Sequence, residues 1–208
     1  MEQERLDRKA LEDKARTSAP RERVGSKPGS GKGPGAADVR TNDFALKLAN
    51  VNGTGSASAN GLLMQAIFRM GIPVSGKNLF PSNIQGLPTW YEVRVNKNGH
   101  VSRALDYDLV VAMNAETYVR DVKEVRSGGY LLYDSSWPLD ASLSRPDVTF
   151  LGVPLAQMCN AIFKDSRERI LMKNIAYLGA LVALLDIDMH VIDELLDEKF
   201  SRKKALLE

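Results

Sequence analysis

Cysteine is almost missing from this sequence: Cys159 is the single one in 208 residues. One thiol excludes an internal disulfide. It also excludes an iron–sulfur cluster held by this chain alone, which takes about four thiolates. Histidine is nearly as scarce. His100 and His190 stand far apart, with no cysteine at zinc-ligand spacing, so no metal site is expected. Long apolar runs are missing as well. The longest uncharged one, Asn174–Leu185, has twelve residues, short of the roughly 20 a bilayer requires, and it reads as a buried core helix. The sequence begins charged rather than apolar, unlike a secretory signal. The expectation is a cytoplasmic protein with no membrane partner.

What is present suits one folded domain with a tail. The hydrophobic fraction is 44% and the net charge +2, a balance that points to no nucleic-acid partner. The charge is unevenly spread. Residues 1–42 hold ten Lys/Arg against seven Asp/Glu, while the remainder holds eighteen against nineteen. The same 42 residues contain no aromatic side chain but five of the sixteen glycines and three of the nine prolines. Such a segment cannot bury enough apolar surface to offset its ordering entropy, so it reads as a disordered basic tail with at most a transient charged helix over Glu2–Arg16. Ser26–Gly33, SKPGSGKG, imitates a phosphate-binding loop. It has Ser26 where the first glycine belongs and Gly33 where Ser or Thr belongs, and neither strand nor helix flanks it.

From Asp43 onward the pattern changes. Phe44, Leu46 and Leu48 alternate with smaller or polar residues, as in a strand. Gly53–Asn60 reads as a small-residue loop and Gly61–Met70 as a helix ended by Gly71 and Pro73. Strand, glycine turn and helix open a βαβ unit. Lys77–Leu87 reads as a polar, glycine-punctuated loop and Trp90–Val95 as a strand. Asp108–Met113 is a continuous apolar run of the buried parallel kind. Ala115–Val125 is expected to be helical with Gly128-Gly129 as its stop, Tyr130–Tyr133 and Val148–Val153 to be strands, and Pro154–Phe163 a helix. Arg169–Leu185 reads as a helix apolar around most of its circumference, and Met189–Lys204 as an amphipathic one with Ile192, Leu195, Leu196 and Phe200 on its stripe. The alternation predicts an α/β fold, a three-layer sandwich around a mostly parallel sheet. The domain is expected over 43–204, with 205–208 beginning a linker.

Two stretches carry candidate binding residues. Gly53-Thr54-Gly55-Ser56-Ala57-Ser58 holds two glycines of a dinucleotide fingerprint, with Ser58 at the third position. Gly53, Gly55 and Ser56 would let a ligand approach the backbone and the free N–H groups of a helix start. Roughly twenty residues beyond, where a carboxylate would meet a ribose, the chain reads Val74-Ser75-Gly76-Lys77, which argues against ordinary NAD binding. The second stretch is Ser75–Thr89. Lys77 supplies a cation, Asn78, Ser82, Asn83 and Gln85 supply neutral hydrogen-bonding groups, and Gly86 permits an unusual backbone angle. One charge in fifteen residues marks a contact surface better than a solvated loop. No nucleophile–base pattern is written anywhere, so no catalytic residue is expected. An independent nucleotide-binding module and a pure scaffold both remain open from the residues.

The run Gly53–Val95, GTGSASANGLLMQAIFRMGIPVSGKNLFPSNIQGLPTWYEVRV, closely resembles the gamma domain at the N-terminal end of the alpha subunit of 2-oxoglutarate:ferredoxin oxidoreductases. The likeness continues through Asp108–Asn114, Gly128–Asp134 and Leu171–Asp188, covering Phe44 to Lys204. It implies a fold like domain III of pyruvate:ferredoxin oxidoreductase. It implies a component of an enzyme that converts a 2-oxoacid, coenzyme A and oxidised ferredoxin into acyl-CoA, carbon dioxide and reduced ferredoxin, inactive when isolated. Thiamine diphosphate, Mg²⁺ and iron–sulfur clusters would lie in partner domains, namely the thiamine-binding domain of the alpha subunit and the beta subunit, with ferredoxin an indirect partner. The gamma domain would help enclose the active site and the coenzyme A path, so Gly53, Gly55, Ser56, Lys77, Asn78, Ser82, Asn83, Gln85 and Gly86 become candidate coenzyme A contacts.

Overall fold

The computed structural model describes residues 42–82 and 84–200. The expected tail, the Ser26–Gly33 imitation and the linker at 205–208 lie outside them, as does Asn83. In chain order the elements are strand β1 (Asp43–Val51), helix α1 (Ser56–Arg69), β2 (Val74–Leu79), β3 (Pro88–Asn96), β4 (Tyr107–Ala112), a 3₁₀ turn (Ala115–Thr117), α2 (Tyr118–Lys123), β5 (Val125–Asp134), a second 3₁₀ turn (Ala141–Leu143), β6 (Thr149–Val153), α3 (Leu155–Ile162), α4 (Ser166–Leu184) and α5 (Met189–Phe200).

The six strands form one sheet in the order β2-β3-β1-β4-β5-β6. β1–β4, β4–β5 and β5–β6 pair parallel, while β3 pairs antiparallel with both β1 and β2. The sheet is therefore mixed, with parallel pairs in the majority. Because β3 opposes both its neighbours, β1 and β2 run the same way. The β1–α1–β2 unit is thus a βαβ crossover with one strand inserted between its two strands.

Side-chain alternation sorts the sheet into two faces. On one, Leu46, Leu48, Val93, Val95, Leu109 and Val111 join residues of α1, α4 and α5 in the larger core. On the other, Ala45, Val110, Ala112 and Leu131 meet Val122 of α2 and Val148 in a smaller one. This is the expected three-layer arrangement, with one layer much thinner than the other. The thick layer is built from a few firm helices. Asp165 caps α4 by accepting from the Arg167 and Glu168 N–H groups at 2.8 and 3.0 Å.

Several boundaries differ from expectation. The helix after β1 starts at Ser56, because Gly55 takes the left-handed cap conformation at φ 83° and the first turn follows at once. Residues 77–79, expected in a loop, belong to β2, an edge strand whose polar, half-exposed sequence lacks the usual alternation signal. Gly128-Gly129 is not a helix stop. The helix ends at Lys123, and the two glycines lie inside β5, where the pairing to β4 shifts register between Tyr107 and Leu109. A Cβ on Gly129 would stand 3.0 Å from the Asp108 carbonyl oxygen, so this close approach needs a glycine. α4 is not buried around most of its circumference either. Its buried residues, Asn174, Tyr177, Leu178, Leu181 and Val182, form one stripe, and Ile170 and Leu184 face outward. Among the described residues no helix is long and apolar enough to cross a membrane.

Candidate functional site

β1 ends at Val51, and the chain turns through Asn52–Gly55 into α1. Three interactions hold that turn. The Thr54 hydroxyl donates to the Val51 carbonyl at 2.8 Å, Asn174 of α4 donates to the Thr54 carbonyl at 2.7 Å, and Gly55 packs against Leu171, whose Cδ1 would lie 3.1 Å from an added Cβ. The turn forms one wall of an open cleft of about 260 Å³ lined by Asn52, Gly53, Gly55, Ser56, Ala57, Asn60, Asn78, Thr89 and Trp90. The opposite wall comes from the facing ends of β2 and β3. Among these residues none carries a charge and none titrates near neutral pH, so the cleft offers hydrogen bonds rather than acid–base chemistry.

Of the expected site residues, Gly53, Gly55, Ser56 and Asn78 meet here. Gln85 joins them indirectly: its side chain folds over Gly53 so closely that a Cβ there would fall 2.5 Å from Gln85 Cγ. Ser82 and Gly86 shape the loop itself. The Ser82 hydroxyl accepts from the Ile84 N–H at 3.1 Å, and Gly86, at φ 92°, donates its N–H to the Asn52 carbonyl at 3.0 Å. Asn52 staples the loop down by donating its side-chain amide to the Ile84 carbonyl at 3.0 Å. Lys77 is separated from the rest. One residue from Asn78 on a strand, it projects from the opposite sheet face into a second cleft of about 300 Å³, beside Glu92, Arg103 and Tyr107. In that cleft Glu92 is already taken by Arg103, at 2.5 and 2.6 Å, and by the Tyr107 hydroxyl.

Sequence reasoning missed Asn52, Asn60 and Thr89. Asn60 left a readable signal. Ser56 and Asn60 are four apart on the stripe that continues through Leu63 and Ile67, and both are buried at the first turns of α1. Polar residues on the buried stripe of an otherwise apolar helix need partners. The Tyr177 hydroxyl of α4 supplies one to Asn60 at 2.7 Å.

The cleft lies between a strand end and a helix start, the place where open α/β sheets commonly take ligands. The chain belongs to the pyruvate ferredoxin/flavodoxin oxidoreductase family, whose model matches residues 45–208. It is 30% identical over 125 residues to 2-oxoacid:ferredoxin oxidoreductase 2, subunit alpha, of Aeropyrum pernix, a stretch that is 60% of this chain and 19% of that relative's length. Among solved structures it resembles the 2-oxoglutarate:ferredoxin oxidoreductase of Magnetococcus marinus with 2-oxoglutarate, coenzyme A and succinyl-CoA bound (TM-score 0.66, 24% identity, 79% of this chain and 28% of that one). It also resembles the pyruvate oxidoreductase subunit PORC of Thermotoga maritima (TM-score 0.60, 19% identity, 77% of this chain and 86% of that one). A third likeness is to the keto/oxoacid ferredoxin oxidoreductase gamma subunit of Geobacter sulfurreducens (TM-score 0.58, 20% identity, 76% and 89%). At these identities the solved structures establish the fold, which is that of the gamma-type subunits.

Proposed function

We propose that this chain is the gamma-type domain or subunit of a cytoplasmic, thiamine diphosphate-dependent 2-oxoacid:ferredoxin oxidoreductase. Its substrate would be 2-oxoglutarate, converted with coenzyme A to succinyl-CoA and carbon dioxide while ferredoxin is reduced. The family membership supports the reaction class. The 2-oxoglutarate and coenzyme A in the Magnetococcus marinus enzyme support the choice of substrate. Thiamine diphosphate, Mg²⁺ and iron–sulfur clusters belong to partner domains in this reading. The residues present here fit none of the metal chemistry: there is one cysteine in the sequence, and the described residues hold no metal-ligating cluster. They do fit coenzyme A, whose phosphates and amides match a cleft of uncharged donors and acceptors.

The observation that carries the proposal is the Gly53–Asn60 cleft itself, a helix start left open beside buried polar side chains. This chain would bind and orient coenzyme A and exclude water at the edge of the active site; no proton or electron passes through its residues. Steady-state kinetics of the assembled complex tests this. Ser56→Asp sets a carboxylate against the ligand's oxygens and should raise the KM for coenzyme A about ten-fold or more, leaving that for 2-oxoglutarate unchanged. An unchanged KM for coenzyme A overturns the assignment. Lys77→Ala probes the second cleft in the same assay. A raised KM for coenzyme A puts a phosphate on Lys77, by loss of a charge-assisted bond of about 1.5–3 kcal/mol. Impaired assembly with an unchanged KM makes Lys77 a subunit contact.

A further inference from the structure

The floor of the α1 cleft holds a side chain whose orientation is set from behind. Asn60 lies one turn into α1, is only 3% exposed, and lines the cleft. Its Oδ1 accepts the hydrogen bond from Tyr177, which is fully buried on α4. From β1, the amide of Asn50 faces the same hydroxyl. Its Nδ2 is buried and closes no hydrogen bond of its own. A hydroxyl approached by an amide N–H on one side spends its proton on the other. Tyr177 therefore donates to Asn60 Oδ1, and Asn60 Nδ2 is left turned to the cleft without a partner. Burial pushes the Tyr177 hydroxyl well above its ordinary pKa, outweighing the opposing contact with Asn50, so it remains a donor at neutral pH.

At the start of α1 the groups beside Asn60 are also donors. No side chain caps α1, and while the Ser58 N–H is taken by the Gly55 carbonyl at 3.1 Å, those of Ser56 and Ala57 stand open at the positive end of the helix. We infer that Asn60, held donor-outward by Tyr177, positions a phosphoryl oxygen of the ligand together with the Ser56 and Ala57 N–H groups. Phosphoryl oxygens only accept, as this set requires, whereas an amide would need a facing acceptor as well. The inference rests on the coenzyme A reading and narrows it: the pyrophosphate lies at the start of α1, and Tyr177 is a positioning residue acting through Asn60.

Calorimetric titration of the full 208-residue chain with coenzyme A and, separately, with inorganic pyrophosphate tests this. Asn60→Asp, which exchanges the donor for a carboxylate, should weaken both ligands about 100-fold, and Asn60→Ala about ten-fold. Tyr177→Phe keeps the ring but frees the Asn60 amide to turn, and should weaken both about three-fold. Combined with Asn60→Ala it should add nothing, because it acts through that amide. A structural role alone would instead lower the thermal midpoint and add to the Asn60→Ala loss. Thermal midpoints separate folding from binding, and Asn60→Ala, a better helix former, serves if the aspartate variant unfolds. Coenzyme A binding unchanged in both Asn60 variants overturns this inference and leaves the coenzyme A reading standing. Asn60-dependent pyrophosphate binding without coenzyme A binding does the reverse. A wild-type chain that binds neither probe overturns both.

Discussion

The two faces of the sheet are stabilised by different means. On the α1 face, α1, α4 and α5 bury an aliphatic core in which Leu48, Leu63, Val95 and Leu181 have no measurable exposure. Among the described residues the α2 face has one short helix over it, and beside its smaller apolar core it buries charge. Lys47, 1% exposed, pairs with Glu124 and lies 5.2 and 5.3 Å from the ring centroids of Trp90 and Tyr107. Trp90 donates its indole N–H to Asp121 at 2.9 Å, Thr117 donates to the same carboxylate, and Arg120 covers the Trp90 ring at 4.4 Å. A thin layer cannot supply enough apolar area to close a core, so it is closed by paired charges and aromatic rings. Area and pairing respond differently to substitution and to pH.

Removing area should produce the largest loss. Leu181→Ala on α4 deletes a side chain with no exposure and should cost about 2–5 kcal/mol, the range for a cavity that surrounding helices fill only in part. Urea denaturation gives the number; a loss well under 1 kcal/mol would mean the thick layer is as forgiving as the thin one. Gly55→Ala should come next. The residue sits at φ 83° and its Cβ would stand 3.1 Å from Leu171, so a cost of about 1–2 kcal/mol follows from the left-handed backbone alone. Because Gly55 joins the cleft wall to the α1-face core, the same variant should weaken coenzyme A binding in the calorimeter. Stability lost with affinity intact would separate the cleft from that core.

How far the sequence discloses these two faces differs in the same way. The thick layer is legible, because its helices and central strands show the 3.6- and 2-residue apolar periods that burial imposes. β1, β3 and β4 stand near their expected places, and α1 ends where expected but begins five residues earlier. The thin layer is not. Lys47, Glu92 and Asp121 carry no mark of burial in the sequence, since nothing local tells a buried ion from an exposed one. The partner of Lys47, Glu124, lies 77 residues away. The cleft is legible in part. Gly53, Gly55 and Ser56 were marked by turn chemistry, whereas Asn60 takes its meaning from Tyr177, 117 residues on. Lys77 and Asn78 read as one site in the sequence, but both lie in strand β2, whose alternation puts them on opposite faces.

Replacing the buried ion pair itself should have the smallest effect at neutral pH and the clearest signature elsewhere. Lys47→Met keeps an unbranched side chain against Trp90 and Tyr107, and Glu124, a quarter exposed, retains Arg120 at 2.9 Å. The expected loss is about 1 kcal/mol or less. Its pH dependence has a definite sign. Burial alone would raise the pKa of Glu124, but Lys47 and Arg120 together hold it below its ordinary value. That contribution is present above the unfolded-state pKa and fades as pH falls through the lower folded one. Asp121 is displaced the other way. Burial raises its pKa, while the bonds from Thr117 and Trp90 and the charge of Lys47 restrain the rise, so its contribution is present in acid and fades as pH climbs through the raised value. Without Lys47, Glu124 loses part of its downward shift and Asp121 rises further. Both changes favour the variant in acid relative to the wild type. The stability difference should therefore be near zero at about pH 3 and grow through the carboxylate range to a plateau near neutrality. A difference that stayed flat across that range would show that Lys47 works by packing alone, and the contrast between the two faces would fail.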